Sequence, residues 1–185
     1  MRCFGDGNPL YERYHDEEWG FPVRDERGLY ERISLEAFQS GLAWITILRK
    51  REAFRLAFAG FVPESVARFS ERDVERLLGD AGIVRNRAKI LATVANARAT
   101  LALRETEMPL PALFWSHAPA QPPATRESLA DLPAQTPESV ALAKALKTAG
   151  FRFVGPTTAY AAMQACGVVN DHLAGCPVRT RAALS

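Results

Sequence analysis

The chain has 185 residues, of which 48% are hydrophobic and 24% charged, with 23 basic and 21 acidic side chains. This length suits one domain, and the composition excludes a disordered chain, a collagen-like repeat and a disulfide-stabilised mini-protein. The longest near-apolar stretch, residues 157–169, is too short to span a bilayer, and the N-terminus lacks the apolar core of a signal peptide. We therefore expect a soluble, cytoplasmic protein with no membrane partner.

The charge is unevenly distributed along the chain. Residues 1–38 carry five arginines and nine carboxylates, a net charge of −4, which leaves +6 for the remainder. Residues 81–104 and 139–170 hold basic side chains and no acidic ones. Such stretches predict either a positive face that contacts phosphate or ordinary solvated helix surfaces, and charge alone favours the second alternative.

Helical periodicity dominates the first half of the chain. Residues 26–59 predict two helices with a break at Ser40 and Gly41, and a short helix follows from Pro63 to Phe69. Ser70, with Asp73 three residues later, is typical of a capping box and predicts a helix over residues 71–78. A longer helix is expected over residues 85–103.

The second half begins with a proline-rich connection. Residues 105–137 contain seven of the twelve prolines and predict a surface segment with one helical turn at residues 113–115. Helices are expected again over residues 137–149 and 156–165, and residues 151–154 are the only strand candidate. The fold class is therefore mainly α, with the N- and C-terminal segments packed together.

Cysteines and histidines occur near both ends of the chain. Cys3 and His15 lie at the start, and His172 and Cys176 at the end. Two thiolates and two imidazoles form the tetrahedral set that Zn²⁺ prefers in closed structural sites, where no position is left for water. Spacing alone leaves unrelated surface side chains as an equal alternative, and Cys166, in an apolar run, is predicted to be a core residue.

Glu36 lies on the face of its helix that should be buried. A buried, unpaired carboxylate is costly, so Glu36 must be neutral, paired with an arginine, or reserved for a ligand. Tyr11, Tyr14 and Trp44 are near it in sequence, and a carboxylate among aromatic rings suits a flat, electron-poor ring. An ion pair inside an ordinary core is the alternative that the pattern alone favours.

Residues 73–90 resemble a helix–hairpin–helix. A tight hairpin at Gly82 would expose backbone N–H groups at the start of the second helix, where the helix dipole favours an anion. Arg85, Arg87 and Lys89 would add positive charge beside a phosphate, independently of base identity. Any helical hairpin with a solvated basic helix is the alternative.

Several short sequence strings match one protein family and occur in the same order along the chain, which makes the resemblance more specific than any single motif. The chain resembles the bacterial 3-methyladenine DNA glycosylase I proteins of the helix–hairpin–helix glycosylase superfamily over almost its whole length, except in the proline-rich stretch and the last ten residues. The matching strings are PLY (9–11), YHDEEWG (14–20), LE (35–36), GLAWIT (41–46), DAGI (80–83), GFRFVG (150–155), MQACG (163–167) and VNDH (169–172).

The resemblance implies a helical DNA repair enzyme spanning residues 1–185 as one domain. It implies one structural Zn²⁺ per chain, held by Cys3, His15, His172 and Cys176, and a base pocket containing Glu36, Tyr14 and Trp44, with Tyr11 nearby. It implies a DNA-binding hairpin over residues 71–103, centred on Gly82. The partner would be double-stranded alkylated DNA, and the protein is expected to act as a monomer in the bacterial cytoplasm.

The implied reaction is hydrolysis of the N-glycosidic bond of 3-methyladenine, which leaves an abasic site. The damaged nucleotide must leave the stack, and Leu42 is our candidate for the residue that fills the gap. The methylated base is cationic in DNA and is already an activated leaving group. Glu36 would complement its charge while Trp44 stacks on it and Tyr14 forms a hydrogen bond. No lysine occupies a convincing nucleophile position, so we expect no lyase activity.

Three departures from the family pattern leave an alternative open. Many relatives carry a tryptophan two residues after the first cysteine, whereas Phe4 and Gly5 follow Cys3 here, and the hairpin has Asp80 where the superfamily often has glycine. No aspartate occurs in residues 81–130, which excludes the catalytic aspartate of most helix–hairpin–helix glycosylases but fits this family. The first two departures favour a catalytically weak module that binds damaged DNA.

Overall fold

The structure, a computed structural model, describes residues 1–183 and contains ten α-helices and no β-strand in that range. The helices are α1 Pro9–Glu17, α2 Glu26–Gln39, α3 Trp44–Ala57, α4 Pro63–Val66, α5 Glu71–Gly79, α6 Arg87–Arg104, α7 Leu110–Trp115, α8 Pro137–Thr148, α9 Pro156–Ala165 and α10 Arg179–Ala183. Two 3₁₀ turns, Ala59–Phe61 and Leu129–Asp131, complete the regular structure of these residues. The prediction of a mainly helical fold is confirmed.

Local signals located most helix ends correctly. The break between α2 and α3 falls at residues 40–43, where Gly41 has a positive φ of 84° that suits glycine. Ser70 and Asp73 form the expected capping box at the start of α5. The long helix begins at Arg87 rather than residue 85, because the side chain of Asn86 accepts the N–H of Lys89 and caps it there.

Two elements differ from the sequence expectation. Helix α1 was not predicted, although Asn8 caps it and Pro9 occupies its first position, and both are ordinary start signals. Residues 151–154 form part of the connection between α8 and α9 instead of a strand. Phe153 has a φ of 57°, which interrupts an extended conformation. Phe151 and Val154 are buried on either side of it.

Helix α2 lies at the centre of the fold. It packs against α3, α6 and α9, and its fully buried side chains include Leu29, Tyr30, Ile33 and Phe38. One cluster of buried apolar residues runs from Cys3 near the N-terminus to Val178 near the C-terminus. A carboxylate on the same buried helix therefore has a rigid support on several sides.

No helix within residues 1–183 is both long enough and apolar enough to cross a membrane.

Candidate active site and candidate metal centre

Glu36 is buried in the middle of α2. It is 5% exposed, and burial raises the pKa of its carboxyl to about 8, with Arg32 acting in the opposite direction. Within residues 1–183 no cation forms an ion pair with it, because the guanidinium of Arg32 bonds to Glu18 at 2.7 Å instead. The alternative of a core ion pair at Glu36 is therefore wrong, and the carboxyl is available to a ligand.

The aromatic side chains expected near Glu36 do surround it. Tyr14 is 2% exposed and lies with its ring centroid 5.3 Å from that of Trp44, the first residue of α3. Burial, and secondarily the charge of Glu36, raises the pKa of Tyr14 well above its usual value. The pKa of Tyr11, half-buried on α1, is raised by the same two causes. Both phenols therefore remain neutral donors beside the carboxyl.

These side chains enclose a small cavity of about 210 Å³. Pockets for drug-sized ligands usually measure about 300–1,000 Å³, so this one suits a single ring system. Its walls include the four predicted residues and seven that sequence reasoning did not place there. The eleven lining residues are Phe4, Tyr11, Tyr14, Trp19, Glu36, Gln39, Trp44, Leu129, Leu132, Ala161 and Gln164.

The cavity presents unused hydrogen-bonding groups. The indole Nε1 of Trp44 is buried and has no partner among the described residues. Native structures rarely leave a buried donor unsatisfied, so this N–H, on a residue that lines the cavity, is available to a ligand. Together with the Glu36 carboxyl and the Tyr14 hydroxyl, it can bind the polar edge of a flat ring whose faces contact aromatic side chains.

Phe4 occupies the wall whose identity the sequence left in doubt. Its ring lies 4.9 Å from Tyr11 and 5.0 Å from Trp19, in an edge-on arrangement with the latter. The shift of the aromatic residue to the position directly after Cys3 therefore keeps an aromatic side chain in the pocket. This departure does not leave the pocket open.

The two cysteines and two histidines near the chain ends come together in a buried cluster. One ligand atom from each of Cys3, His15, His172 and Cys176 lies within 4.8 Å of all the others. The Sγ atom of Cys176 is 3.5 Å from His15 Nε2 and 3.4 Å from His172 Nδ1, and Cys3 Sγ is 3.6 Å from that same Nδ1. Ligands of a tetrahedral ion with bonds of 2.0–2.3 Å are separated by about 3.5 Å, so the set fits a metal ion.

Surrounding groups orient both imidazoles towards the centre of this Cys/His cluster. His15 Nδ1 lies 2.8 Å from the carboxylate of Asp16, and His172 Nε2 lies 2.9 Å from the carbonyl oxygen of Trp19. Such partners on the outward nitrogens are typical of metal-ligating histidines. Gly20 allows the close approach, since a Cβ there would lie 2.9 Å from His172 Nε2. The predicted contact between the two ends of the chain is confirmed.

Leu42 projects from the turn between α2 and α3 and is 41% exposed. At the start of this turn, the ammonium of Lys89 donates to the carbonyl oxygens of Phe38 and Ser40 at 2.9 and 2.7 Å. Lys89 is only 8% exposed, and burial lowers its pKa. This geometry does not favour the predicted contact of Lys89 with phosphate, because the cation caps the C-terminal end of α2 and fixes the turn that carries Leu42.

The polar groups of the hairpin between α5 and α6 are also mostly bonded to one another. The N–H of Gly82 donates to the side chain of Asp80 at 2.7 Å, so Asp80 closes the turn that a glycine would leave open. Arg87 is paired with Glu71 and Glu75. Arg85 is exposed and forms no ion pair within residues 1–183. Of the residues predicted to bind DNA here, Arg85 alone offers a free charge in the described part of the chain.

Comparison with known proteins identifies a family. The family model described as methyladenine glycosylase matches residues 4–180. The chain belongs to the methyladenine glycosylase family. It is 51% identical to DNA-3-methyladenine glycosylase 1 of Escherichia coli (strain K12) over 170 residues, 91% of each protein.

Solved structures of this glycosylase family share the same fold. A crystal structure of 3-methyladenine DNA glycosylase I aligns with a TM-score of 0.92 at 50% identity, covering 96% of this chain and 98% of that one. A structure that addresses 3-methyladenine recognition by the Staphylococcus aureus enzyme aligns with a TM-score of 0.90 at 35% identity, covering 96% and 95%. The family resemblance seen in the sequence is confirmed.

Four of the seven pocket residues that sequence reasoning missed show what the sequence did and did not reveal. Trp19 and Gln164 lie in matching strings, so their place in the family pattern was a usable signal. Leu129, in the 3₁₀ turn, and Leu132, directly after it, come from the proline-rich connection, where the resemblance fails. No periodicity predicts that this surface segment returns to the pocket, so only the fold reveals them.

Proposed function

We propose that this chain removes 3-methyladenine from DNA by hydrolysing its N-glycosidic bond and leaves an abasic site. The observation that carries the proposal is the unpaired, buried carboxyl of Glu36 in an aromatic cavity sized for one base. Membership of the methyladenine glycosylase family and the names of its bacterial relatives support the same substrate.

The depth of the cavity requires the nucleotide to leave the duplex. Glu36, Tyr14 and Trp44 are nearly fully buried, so a base within a stack cannot reach them. A second cavity of about 290 Å³ joins Glu36 to Leu42 and to Thr157 and Thr158 on the first turn of α9. The exposed Leu42 thus lies at the mouth of the pocket, where it can fill the gap that the extruded nucleotide leaves.

The charge of the base then provides discrimination. A cationic base favours the ionised form of Glu36 and is attracted by it, whereas beside a neutral base the buried carboxyl keeps its proton and that attraction is lost. Trp44 donates its free N–H or stacks on the ring, and Tyr14 donates its hydroxyl. The positively charged base departs without prior protonation, so the pocket needs no general acid. None of the lining residues is a lysine, which supports release of the base without strand cleavage.

The rate of base release should depend on pH through Glu36. Because burial raises the pKa of the free enzyme's Glu36 to about 8, kcat/KM for 3-methyladenine should rise tenfold per pH unit from pH 6 towards pH 8 and then level off. The measurement is release of labelled base from methylated DNA across this range, with product strands checked for cleavage. A flat profile would remove the Glu36 ionisation from the reaction, and absent release in the wild-type protein would remove the proposed activity.

The Cys/His cluster is proposed to hold one Zn²⁺ per chain. Two soft thiols and two imidazoles supply four ligands, which leaves no open position for water or substrate. When bound, the ion would supply structural stabilisation by joining the ends of the chain. Phe4 directly follows Cys3, and Trp19 accepts a hydrogen bond from His172, so the cluster also fixes one wall of the base pocket.

The DNA-binding surface is proposed to centre on the α8–α9 hairpin, residues 149–155, rather than on Gly82. Lys144, Lys147 and Arg152 line a groove of about 630 Å³ there, and none of them pairs with a carboxylate in the described residues. Gly155 caps α9 without a side-chain oxygen, so the first N–H groups of that helix remain available to a phosphate. The same helix end lines the cavity at Leu42.

Helix α6 holds this hairpin in place. The Asn96 side chain donates to the carbonyl of Arg152 at 3.1 Å and accepts its N–H at 2.7 Å. Phe153, with a φ of 57°, is thereby held 47% exposed at the tip. A non-glycine residue kept in this conformation, with its aromatic ring in solvent, is typical of a binding surface.

The two hairpins can be distinguished by the salt dependence of DNA binding. The logarithm of the DNA-binding constant falls as the logarithm of the salt concentration rises. We expect Lys147→Ala and Arg152→Ala each to make this slope less steep by about one. Arg87→Ala is the matched control, because its guanidinium already pairs with Glu71 and Glu75 and its loss should leave the slope unchanged. If Arg85→Ala lowers the slope and the first two variants do not, the α5–α6 hairpin is the DNA-binding element.

The alternative of a catalytically weak damage-binding module loses its structural support. Phe4 completes the pocket, and Asp80 satisfies its own hairpin. The continuous apolar core supports a single domain, and the chain is proposed to act as a monomer. With DNA as substrate and bacterial relatives, the proposed place of action is the nucleoid in the cytoplasm.

A further inference from the structure

Gln164 brings a polar group to the base pocket from a different helix than Glu36. It lies near the end of α9 and lines the cavity of about 210 Å³. Its amide Nε2 donates to Asp171 Oδ2 at 2.8 Å, and the hydroxyl of Tyr160 donates to the same oxygen at 2.5 Å. Asp171 is only 4% exposed, so this small network is shielded from water.

The carboxylate of Asp171 determines which end of the amide faces the ligand. A carboxylate only accepts hydrogen bonds, so the amide nitrogen of Gln164 must point towards Asp171 and its oxygen must be the other end. No donor within residues 1–183 bonds to that Oε1 atom. Gln164, which lines the cavity beside Trp44 and Tyr14, therefore carries an acceptor whose orientation is fixed before a ligand arrives.

We propose that Gln164, oriented by Asp171, is a specificity-determining residue that accepts an N–H of the bound base. The inference rests on the proposed function. An acceptor of fixed orientation favours a purine with an exocyclic amine at C6, as in 3-methyladenine, over one with a carbonyl there, as in 3-methylguanine. Two opposing acceptors leave each other unpaired, and sites built to bond a particular group reject analogues that lack it.

The test compares the two methylated purines in the same DNA. The ratio of kcat/KM for release of 3-methyladenine to that of 3-methylguanine is measured for the wild type and for Gln164→Leu, which removes the acceptor but keeps a similar volume. We expect this ratio to fall about tenfold, mainly through slower release of 3-methyladenine, the effect of one lost neutral hydrogen bond.

Tyr160→Phe is the matched control for a general loosening of the network. It removes the other donor to Asp171 Oδ2 but leaves the Gln164 bond intact, so the ratio should stay within twofold of the wild type. Asp171→Asn keeps an acceptor oxygen and should preserve most of the ratio, whereas Asp171→Leu should reproduce Gln164→Leu. Zinc content and the thermal midpoint of each variant show whether the neighbouring cluster is intact.

The outcomes separate this inference from the proposed function. If the wild type releases no 3-methyladenine, the proposed function fails. If the wild type releases it and Gln164→Leu keeps the ratio within twofold, Gln164 does not determine specificity. An equal fall of the ratio in Tyr160→Phe and Gln164→Leu also overturns the inference, because it would indicate that only the integrity of the network matters.

Discussion

Glu36→Gln is expected to lower 3-methyladenine release by roughly 10²–10³-fold while the protein stays folded. The substitution keeps the size and one acceptor of the side chain. It removes the negative charge that faces a cationic base in a site shielded from water. Since preorganised electrostatic groups act on the charge that develops in the transition state, most of the loss should appear in kcat. Single-turnover release of base from methylated DNA measures it.

The same substitution should stabilise the free protein, and increasingly so at higher pH. The folded protein keeps a proton on Glu36 up to about pH 8, whereas the unfolded chain releases it near the ordinary value of 4.5. The stability of the wild type therefore falls as pH rises from 4.5 to 8, by up to about 5 kcal/mol from this group. Denaturant unfolding at pH 5 and pH 8 should show that the free energy of unfolding of Glu36→Gln exceeds that of the wild type mainly at pH 8.

Glu31→Gln provides the matched control on the same helix. Glu31 is also buried, at 9% exposed, but it pairs with Arg55 at 2.7 Å and does not line the cavity. We expect this variant to keep base release near the wild-type rate and to lose stability at neutral pH. Equal losses of activity in both variants would mean that any carboxylate change in α2 disturbs the fold, and the role of Glu36 would then be unsupported.

Patterns local in sequence predicted the helices well because their causes are local. The capping box at Ser70 and the break at Ser40 and Gly41 depend on neighbouring backbone groups only. The burial of Glu36 followed from its place on an apolar helix face. The error at residues 151–154 is local too, since apolar character there reflects anchoring by Phe151 and Val154 while Phe153 turns the chain.

The site residues that sequence reasoning misjudged depend on long-range contacts. Lys89 looked like a phosphate ligand because its neighbours are basic, but its ammonium reaches two carbonyls about fifty residues away in the chain. Leu129 and Leu132 join the pocket from a proline-rich segment with no periodic pattern. In each case the deciding partner lies on another element, and charge or composition along the chain does not encode that partner.

Removal of the proposed zinc is the second large effect that we expect. The cluster joins residues 3 and 15 to residues 172 and 176, and a metal bound only by the folded chain contributes its binding free energy to stability. Cys176→Ser should abolish zinc binding, and the loss of about 3–5 kcal/mol should lower the thermal midpoint by about 10 °C or more. Elemental analysis and thermal unfolding, with and without a chelator, measure both effects.

Cys166→Ser separates a lost metal ligand from a disturbed core. Cys166 is fully buried but lies outside the cluster, so its replacement should lower stability while one equivalent of zinc is retained. In the wild type the buried Cys3 thiol has a pKa raised to about 12, mainly by burial, and a thiolate there is unfavourable without a neighbouring cation.

If the purified protein contains no metal and a chelator leaves its unfolding unchanged, the four side chains stabilise the fold by packing alone. A chelator that instead lowers both the thermal midpoint and base binding would connect the cluster to the pocket through Phe4 and Trp19, the two wall residues adjacent to its ligands.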